Sequence, residues 1–361
     1  FMHDRPFKDC LIHGLVRDDK GRKMSKSLGN GIDPIDVINK YGYDSLRLFL
    51  TCNSTPGYDI NFSVEKIEAS WNFINKLWNA TRFVLMNIDE DYKYSKPVLT
   101  NDTDNWIIYK LNNIIDKTTM NIDRYEMAIA GNELESFIWD DFCASYIEFS
   151  KAALNSDDKD LKHKTLDTLV YVLDAIVRLL HPFVPFVTEE LYQAIHGEDV
   201  SALWPEKMDC DENSAKHVDV LLEIIKASRE LRTENNVKPS KELELQVEGF
   251  DLSDSDKSIL LRMTKLVVVD SIDDETIVRP ISTGKISFKM SEVVNKQEEL
   301  EKIAKELTRL EGEIKRSTNI LSNEKFLAKA PEAKVNEEKD KLAKYQESYK
   351  ILLEKKEELS K

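Results

Sequence analysis

The 361-residue sequence has few cysteines, little glycine or proline and no long apolar run. Its four cysteines, Cys10, Cys52, Cys143 and Cys210, lie far apart, with no CxxC pair and no Cys/His cluster at metal-ligand spacing. That excludes a zinc module and a disulfide scaffold, leaves no metal site to be expected, and fits a reduced, cytoplasmic compartment. Eleven glycines and ten prolines exclude collagen-like and low-complexity chains. No apolar stretch reaches the roughly 18–20 residues that a membrane-spanning helix needs, so no membrane role is expected. An excess of basic residues is lacking too. Against 66 acidic side chains stand 51 basic ones, a net charge of −15. A coat of positive charge for nucleic acid is thereby excluded, although a local basic face is not. The chain opens at Phe1-Met2 with no leader, which reads as the middle of something longer.

What is present divides into four regions, mainly α. Residues 1–62 mix a short strand, with Leu11, Ile12, Leu15 and Val16 expected buried, and a charged loop from Arg17 to Lys26. A helix follows from Asp36 to Thr51, weakened at Gly42. Residues 63–215 read as a helix bundle. Its first helix begins after Ser63, a good N-cap with Lys66 where a capping box would have Glu. The apolar stripe of that helix is read as Ile67, Trp71, Ile74, Leu77, Trp78, Thr81 and Leu85. Further helices are expected over 102–120, 123–154, 159–181 and 185–196. Residues 216–290 form a small α/β module: a helix over about 217–235, then strands at Leu243–Val247, Leu266–Val269 and Ile286–Met290. In residues 291–361, Leu300, Ile303, Leu307, Leu310, Ile314 and Leu321 step by three and four. So do Val335, Leu342, Tyr345, Tyr349, Leu352 and Leu359. Two such helices joined by a turn make an antiparallel coiled-coil hairpin. Its 16 basic and 16 acidic residues balance, so the whole net charge lies in residues 1–290.

The sharpest chemical signal is Lys23-Met24-Ser25-Lys26-Ser27. Two ammonium groups three residues apart, in a polar loop opened by Gly21, can reach one polyanion, and the serines add neutral donors. A loop can also close over a substrate. By charge pattern alone a solvated basic loop is the competing reading. A second cluster, Lys226, Arg229, Arg232, Lys238 and Lys241, offers either an RNA-facing surface or an ordinary solvated helix face.

The exact string and its flanks, His13-Gly14-Leu15-Val16, Leu28-Gly29-Asn30 and Ile32-Asp33-Pro34, resemble the KMSKS signature of class I aminoacyl-tRNA synthetases. A given five-residue string arises by chance in roughly one chain of this length in ten thousand. The segments Asp59–Ser63, Asn75–Ala80, His181–Leu191, Leu231–Lys241 and Leu321–Pro331 resemble the valine, isoleucine and leucine subgroup, and the valine-specific family most closely. An isoleucine enzyme typically ends in a Cys-rich zinc site, which is lacking here.

The resemblance implies a fold and a set of roles. Residues 1–62 would be the C-terminal end of a Rossmann-type catalytic domain, with Lys23, Met24, Ser25, Lys26 and Ser27 closing over ATP and its Mg2+. Lys26, assisted by Lys23, would stabilise charge on the phosphates in the transition state. Gly14 would approach the adenine, with His13 either lining that pocket or buried as a strand histidine. Residues 63–215 would be the anticodon-binding bundle. There Arg82 and Phe83 match a pair used near the anticodon: a guanidinium for phosphate or base edge, and a ring for an unstacked base. A core role for Phe83 is the alternative. Arg229, Arg232, and Lys325 and Lys329 of the hairpin turn would add tRNA contacts.

The hairpin itself would be an arm against the tRNA elbow, or else a packing element. About 30 residues per helix gives a rod near 45 Å long. A HIGH-type motif and an editing domain are expected upstream of Phe1, so the chain should be the C-terminal part of a longer, monomeric enzyme, inactive alone. Its partners would be tRNA(Val), valine and ATP. An isoleucine enzyme part and a stand-alone tRNA-binding module are the alternatives.

Overall fold

The computed structural model describes residues 6–200, 203–293, 296–322 and 332–360. It divides into two compact units, residues 1–223 and 224–361.

The first unit opens on a loop-rich segment. Strand β1 (Val16–Arg17) pairs in parallel with β2 (Ile60–Asn61). The strand expected over residues 11–16 is reduced to these two positions, and its apolar side chains are not buried: Leu11 is 52% and Ile12 73% exposed. Among the described residues β2 is the one strand paired with β1. The single helix expected over 36–51 is two, α1 (Pro34–Tyr41) and α2 (Tyr43–Cys52). Gly42 separates them with φ 84°, a conformation that an L side chain resists. Asp33 caps α1 by accepting the Ile35 N–H.

Helices α3 (Val64–Met86), α4 (Asp102–Asp123), α5 (Met127–Ser136), α6 (Ile147–Leu154), α7 (Lys159–Leu180) and α8 (Pro185–His196) follow, with a π-helical stretch, Phe137–Tyr146, joining α5 to α6. The helix expected over 123–154 thus starts later. Tyr125 takes a positive φ of 60° before it. Caps set the starts: the Ser63 hydroxyl accepts the Lys66 N–H, Asn101 that of Asp104, and Asp158 those of Asp160 and Leu161.

The core is apolar. Phe73, Leu77, Trp106, Ile107, Phe142, Tyr146, Leu173 and Ile176 are fully buried. Each such Leu or Phe contributes about 1.5–3 kcal/mol of transfer energy. The stripe expected on α3 is rotated. Ile67, Phe73, Leu77, Ala80, Thr81 and Val84 face inward, whereas Trp71 and Trp78 are exposed.

Helix α9 (Glu212–Glu234) runs across the boundary at 223/224. The second unit then holds a four-stranded sheet of order β4-β3-β6-β5, made of β3 (Leu243–Glu248), β4 (Leu266–Val268), β5 (Thr276–Ile281) and β6 (Gly284–Lys289). β3 and β4 are parallel, and the other pairs antiparallel, with Leu245 opposite Phe288. Helix α10 (Asp254–Thr264) lies between β3 and β4 in sequence and starts with a Ser253/Asp256 capping box. Neither α10 nor β5 is among the expected elements. The Thr276-Ile277-Val278-Arg279 run lacks an alternation clear enough to separate it from loop. A short α11 (Met290–Val293) precedes α12 (Lys296–Leu321) and α13 (Glu332–Ser360). These last two helices pack side by side in opposite senses: Ser317 donates to Glu338 at 2.8 Å and Tyr349 to Glu311 at 2.7 Å. Ile303, Leu307 and Leu310 are buried.

Candidate functional site

The loop from Asp18 to Asn30 is organised around one carboxylate. Asp18 is buried, 3% exposed. Its Oδ1 accepts the backbone N–H groups of Lys20 (3.1 Å) and Arg22 (2.7 Å), and its Oδ2 accepts Arg22 Nε (2.8 Å) and Asn30 Nδ2 (2.9 Å). Asn30 in turn accepts the Ser25 N–H at 2.9 Å and donates to the Lys23 carbonyl at 3.3 Å. The Asn30 amide, more than any other donor, holds the Asp18 carboxyl well below the usual carboxylate range; Arg22 adds to the effect, and burial opposes it. Within the loop the Ser25 and Ser27 hydroxyls lie 3.2 Å apart, and the Leu28 N–H reaches Ser25 Oγ. Met24 points down onto the apolar cluster of Val37, Phe49, Ile60, Phe62 and Ile67.

Against this scaffold the two lysines stand apart. Lys23 and Lys26 are exposed, and among the described residues neither enters an ion pair. The backbone is fixed by Asp18 and Asn30, Met24 is anchored, and the two ammonium groups remain free to meet an anion. Asp18 and Asn30 are the positioning residues that sequence reasoning passed over. The available signal was an Asp three residues before Gly21, the pattern of an Asx turn.

His13 and Gly14 lie elsewhere on the same unit. They line a largely apolar cavity of about 370 Å3 with Leu11, Ile12, Leu50 and Pro56 among its walls. His13 Nδ1 lies 2.8 Å from the Gly14 carbonyl, and the ring is exposed rather than buried in a strand. A Cβ on Gly14 would meet the Tyr58 carbonyl oxygen at 1.8 Å, so the passing backbone itself demands glycine. Beside it Asp59 accepts the Leu15 N–H at 2.8 Å and pairs with Arg17; those contacts hold its carboxyl low. The loop lysines do not line this cavity.

On the bundle, Arg82 is exposed and Phe83 half-buried. The Phe83 ring is neither core nor free, because Lys151 Nζ lies 6.0 Å from its centroid. On the same helix Lys76 Nζ sits 5.8 Å from the Trp139 ring, which belongs to the π-helical stretch and is 41% exposed. Trp71, Trp78 and Arg82 share another face of α3, seven and four residues apart. The apolar stripe expected from the sequence includes both of these exposed tryptophans. Nothing in their spacing separates an exposed face from a buried one, since both faces of α3 carry large apolar residues. Lys66, adjacent to Glu65, donates to Asn53 Oδ1 at 2.9 Å.

In the second unit Arg229 is exposed, but Arg232 is not. Arg232 is 6% exposed, and its guanidinium donates to the backbone carbonyls of Lys238 (3.1 Å) and Thr264 (2.7 Å). The expectation that Arg232 touches tRNA directly is corrected: its amino groups are spent on main-chain acceptors, and burial pulls its pKa down. Lys325 and Lys329 lie outside the described residues. Among the described residues no cluster of three His, Cys, Asp or Glu could hold a metal, and no helix is long and apolar enough to cross a membrane.

Three family models match the chain in succession. They are described as tRNA synthetases class I (I, L, M and V), over residues 1–63; anticodon-binding domain of tRNA ligase, over 104–247; and valyl tRNA synthetase tRNA binding arm, over 295–360. Helix α3, with Arg82 and Phe83, falls between the first two matches. The valine--tRNA ligase of Bacillus anthracis is 42% identical over 370 residues, covering 96% of this chain and 41% of that protein. That of Staphylococcus aureus (strain JH9) is 43% identical over 367 residues, covering 97% and 42%. The chain spans about two-fifths of the length of these curated relatives. Among solved structures, a ternary complex of Agrobacterium radiobacter LeuRS with tRNA and LeuAMS covers 56% of this chain and 24% of that one, at 24% identity and a TM-score of 0.43.

Proposed function

Since this chain belongs to the valine--tRNA ligase family of class I tRNA synthetases, we propose that it supplies the KMSKS loop and the tRNA-binding regions for ATP-dependent attachment of valine to tRNA(Val). The observation that carries this reading is the pair of exposed lysines, Lys23 and Lys26, neither in an ion pair among the described residues, on a loop whose backbone is locked by Asp18 and Asn30.

In the reaction, a valine carboxylate oxygen attacks the α-phosphorus of ATP. The P–O bond to the β-phosphate breaks, giving valyl-adenylate and pyrophosphate. A terminal ribose hydroxyl of the tRNA then takes the acyl group and releases AMP. Negative charge gathers on the phosphates as the leaving group departs. Ammonium groups already in place there stabilise the transition state without reorganisation. Lys26 fills that role and Lys23 assists; Met24, Ser25 and Ser27 line the loop. Mg2+ would accompany ATP, as the class I family implies.

The tRNA side is assigned by chemistry as well. Residues 63–215 serve as the anticodon-binding bundle, on which Arg82 and Phe83, joined by Lys151 and Trp139, present cations beside π-faces to an unstacked loop. The paired helices α12 and α13 form a coiled-coil arm for the tRNA elbow. The catalytic segment is the end of a Rossmann-type domain, and the working protein is a cytoplasmic monomer.

The direct test mixes this chain with the unmatched portion of the Bacillus anthracis relative and measures valine-dependent pyrophosphate exchange. Exchange that requires both parts supports the reading. Exchange with isoleucine instead of valine reassigns the amino acid. No exchange, with tRNA binding intact, reduces the chain to a tRNA-binding module.

A further inference from the structure

The second unit contains a buried guanidinium, that of Arg232. Among the described residues Arg232 has no carboxylate partner, and its Nε has no hydrogen-bond acceptor. Buried ions are ordinarily paired, because an uncompensated charge in a low-dielectric site is strongly unfavourable. Carbonyls at the end of α10 offset part of this charge, but a carbonyl dipole does not neutralise a guanidinium.

Arg232 forms part of the wall of an open cavity of about 710 Å3, and two further cations, Arg229 and Lys238, line it. Both are exposed, and among the described residues neither enters an ion pair. The contrast with the rest of the module is direct. Arg279 pairs with Glu234, Lys285 with Glu248, Lys289 with Glu244 and Lys257 with Asp254. Among the described residues those four cations are paired, whereas Arg229 and Lys238 at this cavity are not. Asn236 adds a neutral amide to the lining, the Thr233 hydroxyl donates to the Arg229 carbonyl at 2.9 Å, and Val237 and Met263 add apolar surface. The chain as a whole is strongly acidic, so a local group of three cations facing one cavity is not a by-product of composition.

We propose that this cavity is an oxyanion site for a phosphate group. Arg229 and Lys238 contact the anion, and Arg232 beneath them contributes its charge without touching it. In the tRNA-bound protein the occupant is a backbone phosphodiester, an assignment that rests on the tRNA-binding reading above. Free inorganic phosphate has the same chemistry and is the other source.

The experiment uses the whole chain and the double variant Arg229→Ala, Lys238→Ala. Both positions are exposed, so the melting temperature should be unchanged, and the control Lys257→Ala removes a lysine that is already paired. Binding of a valine-accepting tRNA is titrated at several salt concentrations, and inorganic phosphate is followed by 31P line broadening. The double variant should bind tRNA about tenfold more weakly at low salt, with the salt slope lowered by about one to two, while Lys257→Ala matches the parent. It should also abolish phosphate broadening. If broadening is lost but tRNA affinity and slope are unchanged, the occupant is free phosphate and the phosphodiester assignment is overturned. If both readouts match the parent, the oxyanion site itself is overturned. A parent chain that fails to bind tRNA refutes the functional reading instead, and the 31P arm still decides the site.

Discussion

Two buried aspartates, one in the loop and one in the bundle, have opposite electrostatics. Asp18 and Asp104 are each 3% exposed. Asp18 is held as a strong carboxylate by the Asn30 amide, two backbone N–H groups and the Arg22 guanidinium. Asp104 accepts from the Tyr146 hydroxyl at 2.7 Å and Asn101 Nδ2 at 2.8 Å, all neutral donors, and burial pushes it up to about 6. Burial alone therefore does not decide charge; the number and charge of the donors do. In the loop a fixed anion shapes the backbone and leaves the lysines unspent. In the bundle the carboxyl is a packing element near the start of α4 that titrates at about 6.

The comparison can be broken from either side. The largest effect is expected at the loop's working group. Lys26→Ala in a full-length valine--tRNA ligase carrying this segment should slow adenylate formation by about 10²–10³, with valine affinity little changed. Rapid-quench measurement of adenylate checks this, and a fall below about fivefold would remove Lys26 from the transition state. Next comes the hub. Asp18→Asn keeps the shape but loses the charge, and should lower the same rate about tenfold through one weakened charge-assisted contact. Hydrogen exchange over residues 18–30 should quicken while the bundle melts as before. Because the folded pKa of Asp18 lies below the unfolded one, its hold on the loop is present above the ordinary carboxylate range and lost as pH falls below it.

The smallest effect lies in the bundle, and its sign is reversed. The folded pKa of Asp104, about 6, exceeds the unfolded value of 3.8. Its contribution to stability is full below pH 3.8 and is lost as pH rises through 6. Between pH 5 and pH 7 the loss is roughly 1 kcal/mol. Thermal melts at pH 5 and pH 7 should therefore differ less in Asp104→Asn than in the parent. Equal differences in the two proteins would show that Asp104 is not the titrating group.

Much of the bundle was legible because apolar period and caps agree. Ser63, Asp158 and Pro185 mark helix starts where the sequence placed them. The inner face of α3 was legible in part: Ile67, Leu77 and Thr81 of the expected stripe are buried, but Trp71 and Trp78 fit the same stripe and are exposed, and Phe73, absent from that stripe, is buried. The site divides in the same way. Lys23 and Lys26 were identifiable as a string, but the residues that hold them, Asp18 and Asn30, become neighbours only after the loop folds back on itself. Arg232 and Arg229, three residues apart, looked alike in the sequence and proved opposite in burial.

The sequence by itself determined the helical character of much of residues 63–200, the basic string from Lys23 to Ser27 and the apolar period of the last two helices. These are local properties, set by period, capping and charge within a few residues. Tertiary structure alone decided which cations are free and which are consumed. That depends on which carbonyls and carboxylates arrive from elsewhere, as Thr264 does at Arg232 and Glu234 at Arg279. Whether a charge is available to a ligand is a property of its surroundings, and those are assembled only when distant segments pack.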